Sequence, residues 1–77
     1  MVTKVYEVTD DGEQKLTATY VNELSVRTNI ISYIHQFVFA KNFKFWEYKD
    51  IPGVRKTSHG AYVFHVPGKT IIARAKV

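Results

Sequence analysis

Three histidines, His35, His59 and His65, are the side chains best suited to acid–base or metal chemistry in this 77-residue chain. Their spacing matches neither a zincin nor a zinc finger, and with no Cys to complete a ligand set they assign no metal. His59 follows Ser58 directly, but sequence neighbours seldom place a base against a nucleophile, and no nucleophile-elbow pattern surrounds Ser58. Gly12 and Gly60 stand outside any phosphate-cradling repeat. The expectation is therefore a protein that is not an enzyme and needs no cofactor.

Charge is the stronger signal. Residues 1–40 set Lys4, Lys15 and Arg27 against Glu7, Asp10, Asp11, Glu13 and Glu23. Residues 41–77 set Lys41, Lys44, Lys49, Arg55, Lys56, Lys69, Arg74 and Lys76 against only Glu47 and Asp50. The carboxyl half thus carries more than the whole of the overall net charge of +4, the amino half being net acidic. Clustered Lys and Arg gain free energy by releasing counterions from phosphates, so this half suits a polyanion. Its candidate phosphate contacts are Lys41, Lys44, Arg55, Lys56, His59, Lys69, Arg74 and Lys76, with Ser58 beside them. The run Phe43 to Tyr48 adds Phe43, Trp46 and Tyr48, which together with Tyr62 suit either the stacking of unpaired bases or the anchors of a protein interface.

The elements that must position these groups follow from local pattern. Val2 to Val8 and the alternating Leu16, Ala18 and Tyr20 flank Asp11-Gly12, a strong hairpin signal. Val21, Leu24, Ile30, Ile31, Ile34, Phe37 and Val38 recur at helical spacing, which predicts helices over 20–27 and 30–40, with Thr28 or Asn29 capping the second, or else one continuous helix. Phe43 to Lys49 is aromatic-rich and predicts a third strand. Ile51-Pro52-Gly53-Val54 and Val66-Pro67-Gly68-Lys69 fit turns in which Pro and Gly occupy the central positions. Between them, 55–60 reads as an exposed basic loop and Tyr62 to Val66 as a strand. Ile71 to Val77 closes the chain as a last strand, with Thr70, Ile72, Arg74 and Lys76 on its second face.

Leu24, Ser25, Asn29, Ile30 and Val38 fall where a helix-turn-helix unit places apolar, small, turn, apolar and core residues. The segment therefore resembles the helix-turn-helix and winged-helix DNA-binding modules of small phage-type regulators. It departs from them at His35, where an apolar contact is expected, and in having Asn rather than Gly at the turn. The resemblance implies that Asn29, Ser32, Tyr33 and Gln36 face base edges while the basic hairpin acts as a wing.

Together these readings predict a single α+β domain over 1–77. Two β-hairpins and an additional strand form an antiparallel sheet packed on one long or two short helices. The function expected is cytoplasmic nucleic-acid binding, with DNA favoured over RNA, by a regulator of phage or mobile-element type. The alternative is a protein-interaction module, an inhibitor or an assembly subunit. A chain this short, without disulfides, also suggests a homodimer through the Phe43 to Tyr48 strand or the terminal strand. No apolar run reaches the length of a membrane span.

Overall fold

The computed structural model describes residues 2–39 and 51–76. Strand β1, Val2–Thr9, turns at Asp10-Asp11-Gly12 into β2, Gln14–Val21. After a loop comes helix α1, Val26–Tyr33, whose last turns widen over Ile34–Val38 so that Phe39 N–H donates to Ile34 O at 2.9 Å. Short strand β3, Arg55–Lys56, precedes the hairpin of β4, Tyr62–Val66, and β5, Lys69–Lys76. All pairings are antiparallel, in the order β2-β1-β5-β4-β3. Among the described residues the fold is α+β: a five-stranded antiparallel sheet, built from two hairpins and one added strand, with one helix.

Turn chemistry sets the hairpins. Gly53 and Gly68 have φ of 99° and 89°, values at which a side chain would be strained, and each follows a Pro that presets the preceding φ. In the first hairpin the register slips between Val5 and Tyr6, so that Val5 opposes Ala18 while Tyr6 opposes Leu16. Thr17, the extra residue of this bulge, donates its hydroxyl to Val5 O at 3.2 Å.

The helix covers one face of the sheet. Val5, Ile71 and Ala73 from the strands and Ile30, Ile31 and Ile34 from the helical segment have no exposed surface. Ala18, Tyr20, Val26, Val38, Val54, Tyr62 and Phe64 pack around them.

Three sequence expectations need correction. Residues 20–25 complete β2 and form a loop, so a single helical segment exists where two were possible and no helix-turn-helix pair forms there. Val21 is 78 % exposed, and the helical spacing of Val21 and Leu24 does not reflect a shared buried face. The helix is capped by Ser25, whose Oγ accepts from Thr28 N–H at 3.1 Å, rather than by Thr28 or Asn29. The segment expected to be a basic loop contains β3, and the terminal strand lies in the interior of the sheet. It pairs with β1 along its length on one side and with β4 over Lys69 to Ala73 on the other. The strand expected over Phe43 to Lys49 lies outside the described residues.

Candidate nucleic-acid interface

Residues paired across antiparallel strands point to the same side of a sheet, so the ladders define the face that the helix leaves uncovered. Leu16, Tyr6, Ile72, Val63 and Arg55 are successive partners across all five strands. They form one row: four apolar or aromatic side chains ending in a cation. A second row beside it runs Thr19, Lys4, Arg74, and a third runs Val21, Val2, Lys76. On the other flank lie Gln14, Val8, Thr70 and His65, the last with Nδ1 3.0 Å from Thr70 Oγ1.

The electrostatics of this face are one-sided. Lys4 and Arg74 stand directly opposite each other, an arrangement of like charges that destabilises a sheet. Among the described residues the face carries no carboxylate to relieve them. Glu7, the carboxylate of β1, lies on the helix side, where it opposes Lys15 and Ile71. The Arg74 guanidinium lies over the Tyr6 ring, 5.0 Å from its centroid. That contact keeps the guanidinium of this exposed side chain beside the apolar row.

Beside Val63 and Ile72 the row borders a recess of about 560 Å³, lined by Thr57, His59, Gly60, Ala61, Val63, Ile72, Arg74 and Ala75. It forms because β5 continues past the start of β4. The β4–β5 ladder ends at Tyr62 and Ala73, so Arg74 to Lys76 face a turn over 57–61 instead of a strand. The turn is closed by Thr57 N–H to Ala61 O at 2.7 Å and Gly60 N–H to Thr57 O at 3.1 Å. Thr57 Oγ1 accepts from Ala61 N–H at 3.1 Å.

The sequence-derived site residues divide between the two faces. Arg55, Arg74 and Lys76 are brought together on the open face, and exposed His59 stands at the recess. Lys56 pairs with Tyr62 and so points to the helix side, where Tyr62 packs against the core. Lys69 is also on that side, its Nζ 3.2 Å from Glu7 Oε1. The helix does not present the reading set implied by the resemblance. Asn29 is buried, its amide donating to Thr3 Oγ1 at 2.9 Å and to Asn22 Oδ1 at 3.1 Å while Asn22 Nδ2 donates back at 3.0 Å. Tyr33 is buried too, its hydroxyl donating to Glu7 Oε2 at 2.7 Å and lying 3.0 Å from Thr17 Oγ1. Burial pushes the Tyr33 hydroxyl up to about 12, and the Tyr33 hydrogen bond followed by Lys69 holds the Glu7 carboxyl below its usual value. Ser32 is half-buried and Gln36 exposed, which leaves one of the four expected base contacts fully accessible. Lys41, Lys44, Phe43, Trp46 and Tyr48 lie outside the described residues.

Two components of the open face, Lys4 and Tyr6, were not anticipated. Their alternation with Val5 marks them as one side of a strand, but only the register places them against Arg74 and Ile72. Among the described residues no three His, Asp or Glu side chains gather as metal ligands, and no helix is long and apolar enough to cross a membrane. Comparison with family models, with curated proteins and with solved structures yields no match.

Proposed function

We propose that this protein binds nucleic acid through the uncovered face of its sheet. The observation that carries the reading is the Lys4–Arg74 cross-strand pair, flanked by Arg55 and Lys76 on a face with no carboxylate among the described residues. Four cations on one surface attract a phosphate backbone, and the repulsion between the paired two is relieved by the anion they bind. Such a protein acts by occupancy, as a small regulator does, and the contact needs neither cofactor nor catalytic group.

The test is affinity across a salt series. Four phosphate contacts give a slope of log K against log salt of roughly −3 to −4, and the Lys4→Ala/Arg74→Ala double variant flattens it by about 1.5 to 2 units. Arg55→Ala weakens binding while Lys56→Ala, one residue on but facing the helix side, leaves it nearly unchanged. No measurable binding at low salt rules the reading out.

A second reading, a protein-interaction module, is favoured by Phe37. Its ring packs on Tyr33 with centroids 5.0 Å apart and is still 64 % exposed, as an anchor for a partner protein would be. Binding of nucleic acid that survives Phe37→Ser separates the two surfaces.

A further inference from the structure

The open face is not uniformly charged, and this tells one form of nucleic acid from another. Duplex DNA or RNA shows its phosphates outward and keeps its bases stacked inside, so a surface that meets a duplex backbone has no use for apolar side chains. Here Leu16, Tyr6, Ile72 and Val63 form a continuous row across four strands, with Leu16 47 % exposed. The cations run alongside this row as Lys4, Arg74 and Lys76, and Arg55 ends it. Neighbouring strands are about 4.8 Å apart, so the row with Arg55 spans about 19 Å, room for a few nucleotides laid across the strands. Beside Ile72 and Val63 lies the recess of about 560 Å³, lined also by Ala61 and Ala75 and by the polar Thr57, His59 and Arg74. That volume falls within the range of about 300–1,000 Å³ typical of small-ligand sites.

Resting on the nucleic-acid reading of this face, we infer that the strand it takes is unpaired. Its bases pack on the Leu16–Tyr6–Ile72–Val63 row, its phosphates follow Lys4 and Arg74, and one base enters the recess beside Arg74. Tyr6 is the aromatic platform of the row. With the Arg74 guanidinium over its ring, the pair offers a base a stacking surface and an adjacent positive charge together. The ladder leaves one edge of β5 at Arg74 to Lys76 without a strand partner, which puts main-chain donors and acceptors at the recess for the edge of the seated base.

The experiment measures fluorescence anisotropy with a labelled 12-nucleotide single strand of mixed sequence and with the same strand annealed to its complement, as DNA and as RNA, at one salt concentration. The single strands bind at least tenfold more tightly than the duplexes. Tyr6→Ala weakens single-strand binding about tenfold and leaves duplex binding nearly unchanged, whereas Tyr6→Phe, which keeps the ring, retains single-strand affinity. Equal affinity for both forms, or equal losses for both on Tyr6→Ala, overturns this inference while the nucleic-acid reading stands. Absence of binding to either form at low salt overturns both.

Discussion

Ile71 and Ile72 are neighbours in β5, identical in composition and opposite in surroundings. Ile71 has no exposed surface beneath the helix, whereas Ile72 lies half-exposed in the uncovered row between Tyr6 and Val63. The polar groups of the two faces differ in the same way. On the helix side Asn29 answers Thr3 and Asn22, and Glu7 answers Tyr33 and Lys69, so the polar side chains there complete one another. On the open side Lys4 faces Arg74, a pair that cannot complete itself. A polar group matched within the chain holds the fold, and one opposed by its own neighbour is poised for something from outside.

The largest test of this contrast is truncation of the two isoleucines. Ile71→Ala should cost about 3 to 4 kcal/mol in urea unfolding, because it opens a cavity in a packed core, and Ile72→Ala no more than about 1 kcal/mol. Similar costs for both would mean that the open face is covered in solution. Next is Asn29→Ala, which strands the Thr3 hydroxyl and one side of the Asn22 amide in the interior. A loss of about 2 to 3 kcal/mol is expected, with no selective effect on binding once folding is restored by low temperature. A variant that folds as well as the parent but loses affinity would return Asn29 to the interface.

The matched groups also give the helix side its own pH dependence. Tyr33 titrates near 12 in the fold against about 10 in the unfolded chain, so its contribution is complete below pH 10 and is lost as pH rises towards 12. That loss is on the order of 2 kcal/mol, and Tyr33→Phe should remove it from the alkaline limb of the stability profile. Glu7 has the opposite sign. Its carboxyl titrates below the ordinary 4.5, so its stabilisation is present above that pH and disappears as pH falls through the lowered value. Glu7→Gln should flatten the acid limb.

Much of the fold was legible along the chain, because its signals are local. Alternation in Leu16, Ala18 and Tyr20, Asp11-Gly12 and two Pro-Gly pairs mark strands and turns by rules spanning a few residues. Helical spacing from Val21 to Leu24 misled because a spacing of three says nothing of burial. Asn22 instead uses its side chain to tie that loop down, accepting from Leu24 N–H at 3.0 Å and pairing with Asn29. The site was half legible. Arg55, Arg74 and Lys76 belong to the basic half, but Lys4 and Tyr6 join them only because β5 inserts beside β1. That pairing joins the two ends of the chain, and no short-range pattern encodes it. Asn29 and Tyr33 were placed at base edges because their side chains can read bases. The fold uses the same hydrogen-bonding capacity internally.

The smallest expected effect bears most directly on the contrast between the faces. Lys4→Thr removes one member of the like-charged pair, leaves the Arg74–Tyr6 contact in place, and sets a β-branched residue beside Thr19 on β2. Truncation of a functioning structural residue lowers stability, yet here relief of repulsion across the strands should raise it by about 0.5 kcal/mol, or roughly 2 to 4 °C in melting temperature. The gain should be greatest at low salt and fade as the screening length falls below about 8 Å, which distinguishes removal of charge repulsion from improved strand propensity. Affinity for nucleic acid should fall in the same variant, so that stability and binding move in opposite directions on this face. A lower melting temperature at every salt concentration would show that Lys4 is matched within the protein after all. The open face would then join the helix side as scaffold.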